Sequence, residues 1–247
     1  MKRPIVITDL TRMREPNVCI AGYTREWECV RPVVPFRGIP EWFLRKDDCL
    51  IFRPFAVVEL DFVRAAPQPP HTEDWEIDRL YRSPVMAQVP EERKLAILER
   101  TATDSVAGMF GADIHDDNGF YVKTGEGQRS LGTIRPARFI RLFYQLKEGD
   151  KWDYRIAFQD GAGKTYRLAV TDLAYRCFLD YQRGQPGFAA GVFMSRQLCH
   201  FNERTTFLRI GLARNWEQHP DRCYLQITGI YTFPDYLEGR CFTDFDH

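Results

Sequence analysis

The sequence predicts a mainly β fold with a helical insertion. Segments 1–88 and 121–247 contain short runs of β-branched and aromatic residues separated by turn residues, which is typical of strands. Segment 89–120 between them changes to a helical spacing of apolar residues and an acidic composition. We therefore predict two small β-barrels in tandem, over 1–88 and 121–247, joined by a helical connector over 89–120. A chain of 247 residues is long enough for two such domains.

The first half predicts a meander of strands. The candidate strands are 4–8 (PIVIT), 17–23 (NVCIAGY), 28–34 and 49–63 (CLIFRPFAVVELDFV). Pro54 near the start of the last run fits an edge position or a bulge, because proline has no N–H to donate to a central ladder. The Pro-rich stretch 65–72 (AAPQPPHT) indicates a connection.

The connector predicts a helix over 91–107. Pro90 suits a first helical turn, and Glu91 and Glu92 favour the positive end of the helix dipole. Gly108 suits the end of the helix. The apolar residues that recur at helical spacing are Leu95, Leu98, Ala102 and Val106.

The second half predicts strands over 137–146, 152–159 and 164–170, with the hairpin turn DGAG between the last two. In all three strands arginine alternates with apolar residues, which indicates a sheet with one wet face. A short helix is expected over 171–184. Two further strands are expected over 206–212 and 223–231.

Charge is sorted along the chain although the formal net charge is zero. Residues 121–176 carry 11 Lys and Arg against 6 Asp and Glu, whereas residues 65–120 carry 5 against 11. Arginine supplies most of the basic residues, and its planar guanidinium binds phosphate and stacks on rings. The basic, aromatic-rich strands of the second half therefore predict a nucleic-acid surface.

Strict alternation places Arg138 with Ile140 and Leu142 on one face of the sheet, and Phe139, Arg141 and Phe143 on the other. An ordinary solvated face, with the arginines paired to Asp153, Asp160 or Asp172, is the alternative. The residues predicted to contact nucleic acid are Arg138, Arg141, Phe143, Tyr144, Arg155, Arg167, Arg209, Arg214 and Trp216.

Two further motifs have plain alternatives. Gly125, Gly127 and Arg129 in TGEGQRSLGT predict a phosphate-binding loop, although a glycine-rich turn explains the same residues. A tetrahedral zinc site is conceivable from Cys199, His200, His219 and Cys223, but neighbours on a strand point to opposite faces. We therefore predict neither a metal nor a cofactor.

The sequence favours a non-catalytic role and leaves an enzyme open. No nucleophile elbow or zinc-protease motif occurs, and the seven cysteines are scattered without a C-x-x-C. Such cysteines indicate reduced thiols. With no long apolar run either, a cytoplasmic protein without a membrane partner is expected.

Several strings resemble a known family across nearly the whole chain. They are VITDLTRM, VCIAGY, ECVRPV, PPHTEDW, RSLGTIRP and, most specifically, RIGLAR followed by CYLQITGIYTFPDYLEGRCFTDF. These strings resemble the dual OB-fold domain family of bacterial proteins. The resemblance implies two oligonucleotide/oligosaccharide-binding (OB) barrels and, by analogy with the fold, binding of nucleic acid. It implies no catalytic residues.

The sequence as a whole predicts a non-catalytic module that binds single-stranded DNA or RNA, within a bacterial defence or genome-maintenance assembly. Two alternatives stay open at this point. One is a protein-interaction scaffold that contacts a partner through its barrels and the acidic region 73–117. The other is a sensor or enzyme for a nucleotide-like small molecule, with the loop around Gly125 at its pocket.

Overall fold

The structure is a computed structural model that describes residues 1–13, 16–35, 38–47, 49–81, 84–147 and 151–245. Strands make up 47% of the chain and helices 19%, which confirms the prediction of a mainly β fold. None of the helices in these ranges is both long enough and apolar enough to cross a membrane.

The first half of the chain forms a closed barrel of five strands. The barrel order is β1-β2-β3-β8-β7, and β7 pairs back onto β1. All pairs are antiparallel except β3 with β8. The strands of this half are β1 (Lys2–Arg12), β2 (Asn17–Thr24), β3 (Cys29–Val33), β4 (Ile39–Pro40), β5 (Arg45–Lys46), β6 (Cys49–Leu50), β7 (Ala56–Ala65), β8 (Asp74–Ile77) and β9 (Val85–Gln88).

Strand β1 closes the barrel because it pairs with two neighbours. Its first residues face β7, and from Ile5 onward it also faces β2 across a bulge between Ile7 and Asp9. The bend demands a close approach of the two backbones. A Cβ atom at Gly22 would lie only 2.0 Å from the carbonyl oxygen of Val6, so this position requires glycine.

The connector forms a shorter helix than predicted. Helix α1 (Glu91–Thr101) begins after Pro90 as expected, but the backbone adopts an extended conformation at Ala102. Strand β10 (Ala102–Thr103) then pairs in parallel with a strand of the second half. The prediction of helix up to residue 107 is therefore wrong, because pairing with that strand replaces the last expected turns.

The second half repeats the strand order of the first. Its path is β13-β17-β18-β16-β15-β14, with β16 and β18 parallel. Strands β13 and β14 are separated by residues 135–137. Together they take the place that β1 has in the first half, because β13 pairs with β17 and β14 pairs with β15. The elements of this half are β11 (His115–Asp116), β12 (Phe120–Lys123), β13 (Leu131–Ile134), β14 (Arg138–Lys147), β15 (Lys151–Gln159), β16 (Thr165–Val170), α2 (Leu173–Gly184), α3 (Ala190–Glu203), β17 (Thr205–Leu212) and β18 (Arg222–Phe233).

Helix α2 confirms the helix predicted over 171–184, and Asp172 explains where it begins. The Asp172 carboxylate accepts hydrogen bonds from the N–H groups of Ala174 and Tyr175, which is the usual N-cap arrangement. Helix α3 was not predicted. It packs against β14 and β17, and Asn202 on it bonds to the backbone of Phe139.

The two barrels meet through a buried ion pair. Arg209 on β17 donates from Nε to Oδ2 of Asp9 on β1 at 2.9 Å, and both side chains are fully buried. The guanidinium also donates to the Tyr23 hydroxyl at 2.7 Å and to Thr133 at 2.8 Å. Thr228 donates to the other oxygen of Asp9. Both charges therefore have hydrogen-bonded partners in place of water.

Arg209 is consequently not a phosphate ligand. Its side chain is 0% exposed, and its bonds all go to groups within the fold. The prediction that placed it on the nucleic-acid surface is wrong. The physical reason is that β17 is covered on both faces, one by its own barrel and the other by the first barrel.

A second set of contacts joins the loop between β7 and β8 to the second half. Glu73 accepts hydrogen bonds from the N–H and hydroxyl of Ser130 at 2.9 and 2.8 Å. Asp74 accepts from Arg31 at 2.7 Å and from Arg214 at 2.5 Å. His71 is buried beside these groups. At this junction a carboxylate of the first barrel pairs with one arginine from each barrel.

Removing the buried guanidinium should be costly. Arg209→Ala leaves the Asp9 carboxylate buried without its counter-charge, so we expect the free energy of unfolding to fall by about 3–5 kcal/mol. Arg155→Ala breaks a surface Arg–Asp pair and serves as the matched control, with a change of at most about 1 kcal/mol. Urea denaturation measures both. Equal losses in the two variants would contradict the structural role of Arg209.

His71 should make the fold sensitive to acid. Burial, together with the charges of Arg31 and Arg214, lowers the pKa of His71 to about 2. The folded protein then keeps His71 neutral, whereas the unfolded chain protonates it below about pH 6.5. The stability contributed by neutral His71 is complete above that pH and declines as the pH falls toward 2, by about 2 kcal/mol at about pH 5.

Urea denaturation at about pH 7.5 and about pH 5 measures this decline, and His71→Gln should remove it. Stability that falls equally in both proteins would mean that another group binds the proton.

Candidate nucleic-acid interface

Four of the predicted arginines share the outer face of β14, β15 and β16. The register aligns Arg138 with Gln159 and Thr165, Arg141 with Ala157 and Arg167, and Phe143 with Arg155 and Ala169. Residues aligned across neighbouring strands point to the same side of a sheet. We call this surface the arginine face and define it by Arg138, Arg141, Phe143, Arg155 and Arg167.

A bulge in β14 creates this arrangement. The register shifts between Phe139 and Arg141, so Phe139 and Leu142 are both buried while Ile140 is exposed. The strict alternation predicted for this strand is therefore wrong, since Arg138 joins Arg141 and Phe143 instead of lying opposite them. The extra residue of a bulge re-aims the side chains that follow it.

Phe143 holds two guanidinium groups. The Arg167 guanidinium lies 4.0 Å from the centre of the Phe143 ring, and that of Arg141 lies 5.0 Å from it. Arg167 reaches Phe143 across Ala157, whose small side chain leaves the space. Cation–π contacts at such distances hold planar guanidinium groups against the ring. The face thus presents positive, planar groups in a fixed place.

Arg155 is the exception among these arginines. Its Nε lies 2.7 Å from Asp153, and Lys147 lies 3.2 Å from the same carboxylate. Burial of Asp153 works against its ionisation, but the bonds and charges of Arg155 and Lys147 outweigh it and lower the pKa of Asp153. The alternative of a neutralised face therefore holds for Arg155.

The alternative of a neutralised face does not hold for the other three arginines. Arg138, Arg141 and Arg167 make no ion pair with any residue that the structure describes. Asp160 and Asp172, the other acids considered as partners, are buried and accept backbone N–H bonds instead. Within the described ranges, three cations of the arginine face therefore have no carboxylate partner.

Tyr144 lies on the opposite side of the sheet. Its ring stacks on Trp152 with centroids 4.3 Å apart and contacts Tyr154, which is buried. Tyr144 is half-buried and follows Phe143 directly, so the two rings point in opposite directions. The prediction that Tyr144 stacks with bases on the same surface as the arginines is corrected accordingly.

Trp216 lies in the loop between β17 and β18. Its side chain is 46% exposed, and it stacks on Tyr224 with centroids 5.3 Å apart and an interplanar angle of 24°. Tyr224 is two residues before Gln226, which aligns with Ala169 of β16, so Tyr224 continues the outer face of the sheet. Trp216 thus borders the same side as the arginine face.

Sequence reasoning missed Tyr224 and its neighbour His219, which contacts the Trp216 ring at 5.6 Å between centroids. The signal was present in RCYLQ at 222–226, where polar or aromatic residues alternate with Cys223 and Leu225. Arg214, by contrast, is engaged at the barrel junction through Asp74, although its side chain is 42% exposed.

The glycine-rich loop is a contact between the two halves. Gly125 donates its N–H to the carbonyl of Pro69 at 3.0 Å, and Gln128 donates to that of Phe110 at 2.8 Å. Arg129 donates from Nε to the carbonyl of Met109 at 2.5 Å. A Cβ on Gly127 would lie 3.2 Å from Pro70. The predicted phosphate-binding loop is therefore corrected to a docking turn, because the N–H groups of Gly125 and Gln128 and the Nε of Arg129 already have carbonyl partners.

The zinc ligands considered above are not assembled. Cys199 and His200 lie on α3, His219 lies in the loop before β18 and Cys223 lies on β18. Within the described ranges, no three His, Cys, Asp or Glu residues come together as a group that could hold a metal ion.

Two five-stranded units with the order 1-2-3-5-4, in which strands 3 and 5 are parallel, define this molecule as a protein of two OB folds. The family model of the dual OB-containing domain matches residues 4–230, and the chain belongs to that family. This confirms the resemblance seen in the sequence. A search of curated proteins found no relative with significant similarity.

Proposed function

We propose that this protein binds single-stranded nucleic acid on the arginine face of its second barrel. The observation that carries the proposal is a set of three arginines on one sheet face, Arg138, Arg141 and Arg167, without an acidic partner among the described residues. Arg141 and Arg167 lie against the Phe143 ring, and the exposed Trp216 lies at the border of the same face. Guanidinium groups contact phosphates, while aromatic rings stack with bases in a sequence-tolerant way.

The position of this face supports the proposal. OB folds bind oligonucleotides across their second and third strands and the loops beside them. In the second barrel those strands are β15 and β16, and the loop between the fourth and fifth strands contains Trp216. All these features come from one barrel.

The first barrel takes the supporting role in this proposal. Its corresponding surface on β1, β2 and β3 contains Asp9, Tyr23 and Arg31, which are buried. We place the binding unit at 121–247, the supporting unit at 1–88 and the connector at 89–120. The proposed role is non-catalytic, in the cytoplasm, as part of a bacterial defence or genome-maintenance assembly.

Binding should depend on salt in a defined way. Contacts from Arg138, Arg141 and Arg167 to three phosphates predict a slope of about −2 in log affinity against log salt for a single strand. Affinity should then fall about 20-fold between about 50 and about 200 mM salt. Fluorescence anisotropy with labelled single-stranded DNA and RNA of about 12 nucleotides measures this. Absence of binding at the lower salt would contradict the proposal and favour a protein-interaction scaffold.

Charge reversal on the face should abolish most of the binding. The double variant Arg141→Glu and Arg167→Glu replaces two attractions by two repulsions, so we expect affinity to fall about 100-fold. Phe143→Ala should cost about 1 kcal/mol of binding free energy, because the Arg141 and Arg167 guanidinium groups lose the ring that holds them. The same anisotropy assay measures both effects.

The matched control reverses two exposed arginines elsewhere, Arg93→Glu on α1 and Arg196→Glu on α3. It changes the net charge equally and should leave most of the affinity intact. Thermal unfolding checks that every variant is folded. Equal losses of affinity in the two double variants would mean that binding follows net charge and not the arginine face.

A further inference from the structure

A small basic depression lies on the first barrel. It is formed by the 3-10 helix Glu41–Leu44, the β5–β6 hairpin and the segment after β8. Its volume is about 30 Å³, which exceeds the need of one water molecule but is far below that of a pocket for a whole base. The lining residues are Trp42, Phe43, Arg45, Lys46, Ile51, Phe52, Arg79 and Tyr81.

Around the depression, the local fold buries apolar side chains and exposes Trp42 and the basic residues. Phe43 and Leu44 of the 3-10 helix are buried in the barrel core, which turns Trp42 outward with 64% of its surface exposed. The hairpin then pairs Arg45 with Leu50 and Lys46 with Cys49. An exposed indole and two cations are thus held at the rim of one depression.

The cations of the depression have no acidic partner among the described residues. Arg45, Lys46 and Arg79 form no ion pair with the residues that the structure describes, and no acid is among the lining residues. Of the nearby acids, Glu59 accepts a hydrogen bond from the Tyr81 hydroxyl and Asp78 accepts one from the N–H of Leu80.

Other arginines of this barrel differ. Arg3 lies against Glu28, and Arg64 forms a two-point bond with Glu76 at 2.8 and 2.6 Å. Cations that converge on a concave surface without partners create a positive potential that attracts an anion.

We propose that this depression binds the terminal phosphate of a nucleotide, whose base lies outside on the Trp42 ring. Arg45, Lys46 and Arg79 line the depression and supply donors for a phosphate group at its mouth. The exposed indole of Trp42 offers a surface for a planar base. The site lies on the other barrel from the arginine face and goes beyond the function proposed above. The nucleotide is either free or the phosphorylated end of a strand.

Calorimetric titration of the full chain tests the site with three probes: adenosine monophosphate, adenosine and inorganic phosphate. The monophosphate combines both contacts, so we expect it to bind at least about tenfold more tightly than either part. Saturable binding of the monophosphate with that preference is the expected result. Its absence at millimolar concentrations would overturn the proposal.

Variants locate the binding. Arg45→Ala with Arg79→Ala should weaken binding of the monophosphate about 100-fold, and Trp42→Ala should weaken it about tenfold. The matched control, Arg93→Ala with Arg196→Ala, removes the same charge from α1 and α3 and should bind normally. Equal affinity in the Arg45/Arg79 variant and this control would also overturn the proposal.

A last pair of probes separates the two sources of the nucleotide. In the Arg141→Glu and Arg167→Glu background, a short oligonucleotide with a 5′-phosphate is compared with its 5′-hydroxyl form. Binding of the phosphorylated form at least as tightly as the monophosphate assigns the site to strand ends, and weaker binding assigns it to free nucleotides. Because this background lacks the arginine face, failure of one site leaves the other open to test.

Discussion

The buried pair of Asp9 and Arg209 connects the two barrels, and the rest of the structure depends on it. Each charge comes from a different barrel, so neither barrel can bury its own member alone without a large cost of desolvation. Tyr23 and Thr133 accept further hydrogen bonds from Arg209, and Thr228 donates one to Asp9. The pair therefore ties the orientation of β1 to that of β17 and makes the folding of each barrel depend on the other.

Because of this junction, two barrels of the same topology differ in which surfaces they expose. The surface through which OB folds bind ligands is covered in the first barrel, where Asp9 and Asp74 pair with arginines of the junction and Glu73 accepts hydrogen bonds from Ser130. In the second barrel the equivalent surface stays open, and Arg141 and Arg167 have no carboxylate beside them among the described residues. A chain with zero net charge thus keeps one positive face.

Alternation in the sequence was enough to predict the strands that carry the candidate site, because local patterning decides which side of a sheet is wet. Alternation did not predict exposure correctly where contacts between residues distant in the sequence bury a side chain. Arg209 alternates like Arg167, but apolar residues flank it on both sides in TFLRIGL, and that pattern indicates a strand buried on both faces. The bulge at Ile140 and the parallel pairing that ends helix α1 at Thr101 have no local signal.

The junction also explains how the first barrel, whose ligand surface is buried, can support the exposed ligand surface of the second. Trp216 is two residues from Arg214, whose guanidinium bonds to Asp74 of the first barrel, and Asp74 is itself held by Arg31. The first barrel therefore anchors the base of the loop that presents the indole. A loop fixed before binding loses less conformational entropy when a ligand arrives than a free loop does. Burying the ligand surface of one OB fold in this way stabilises the loop at the edge of the other.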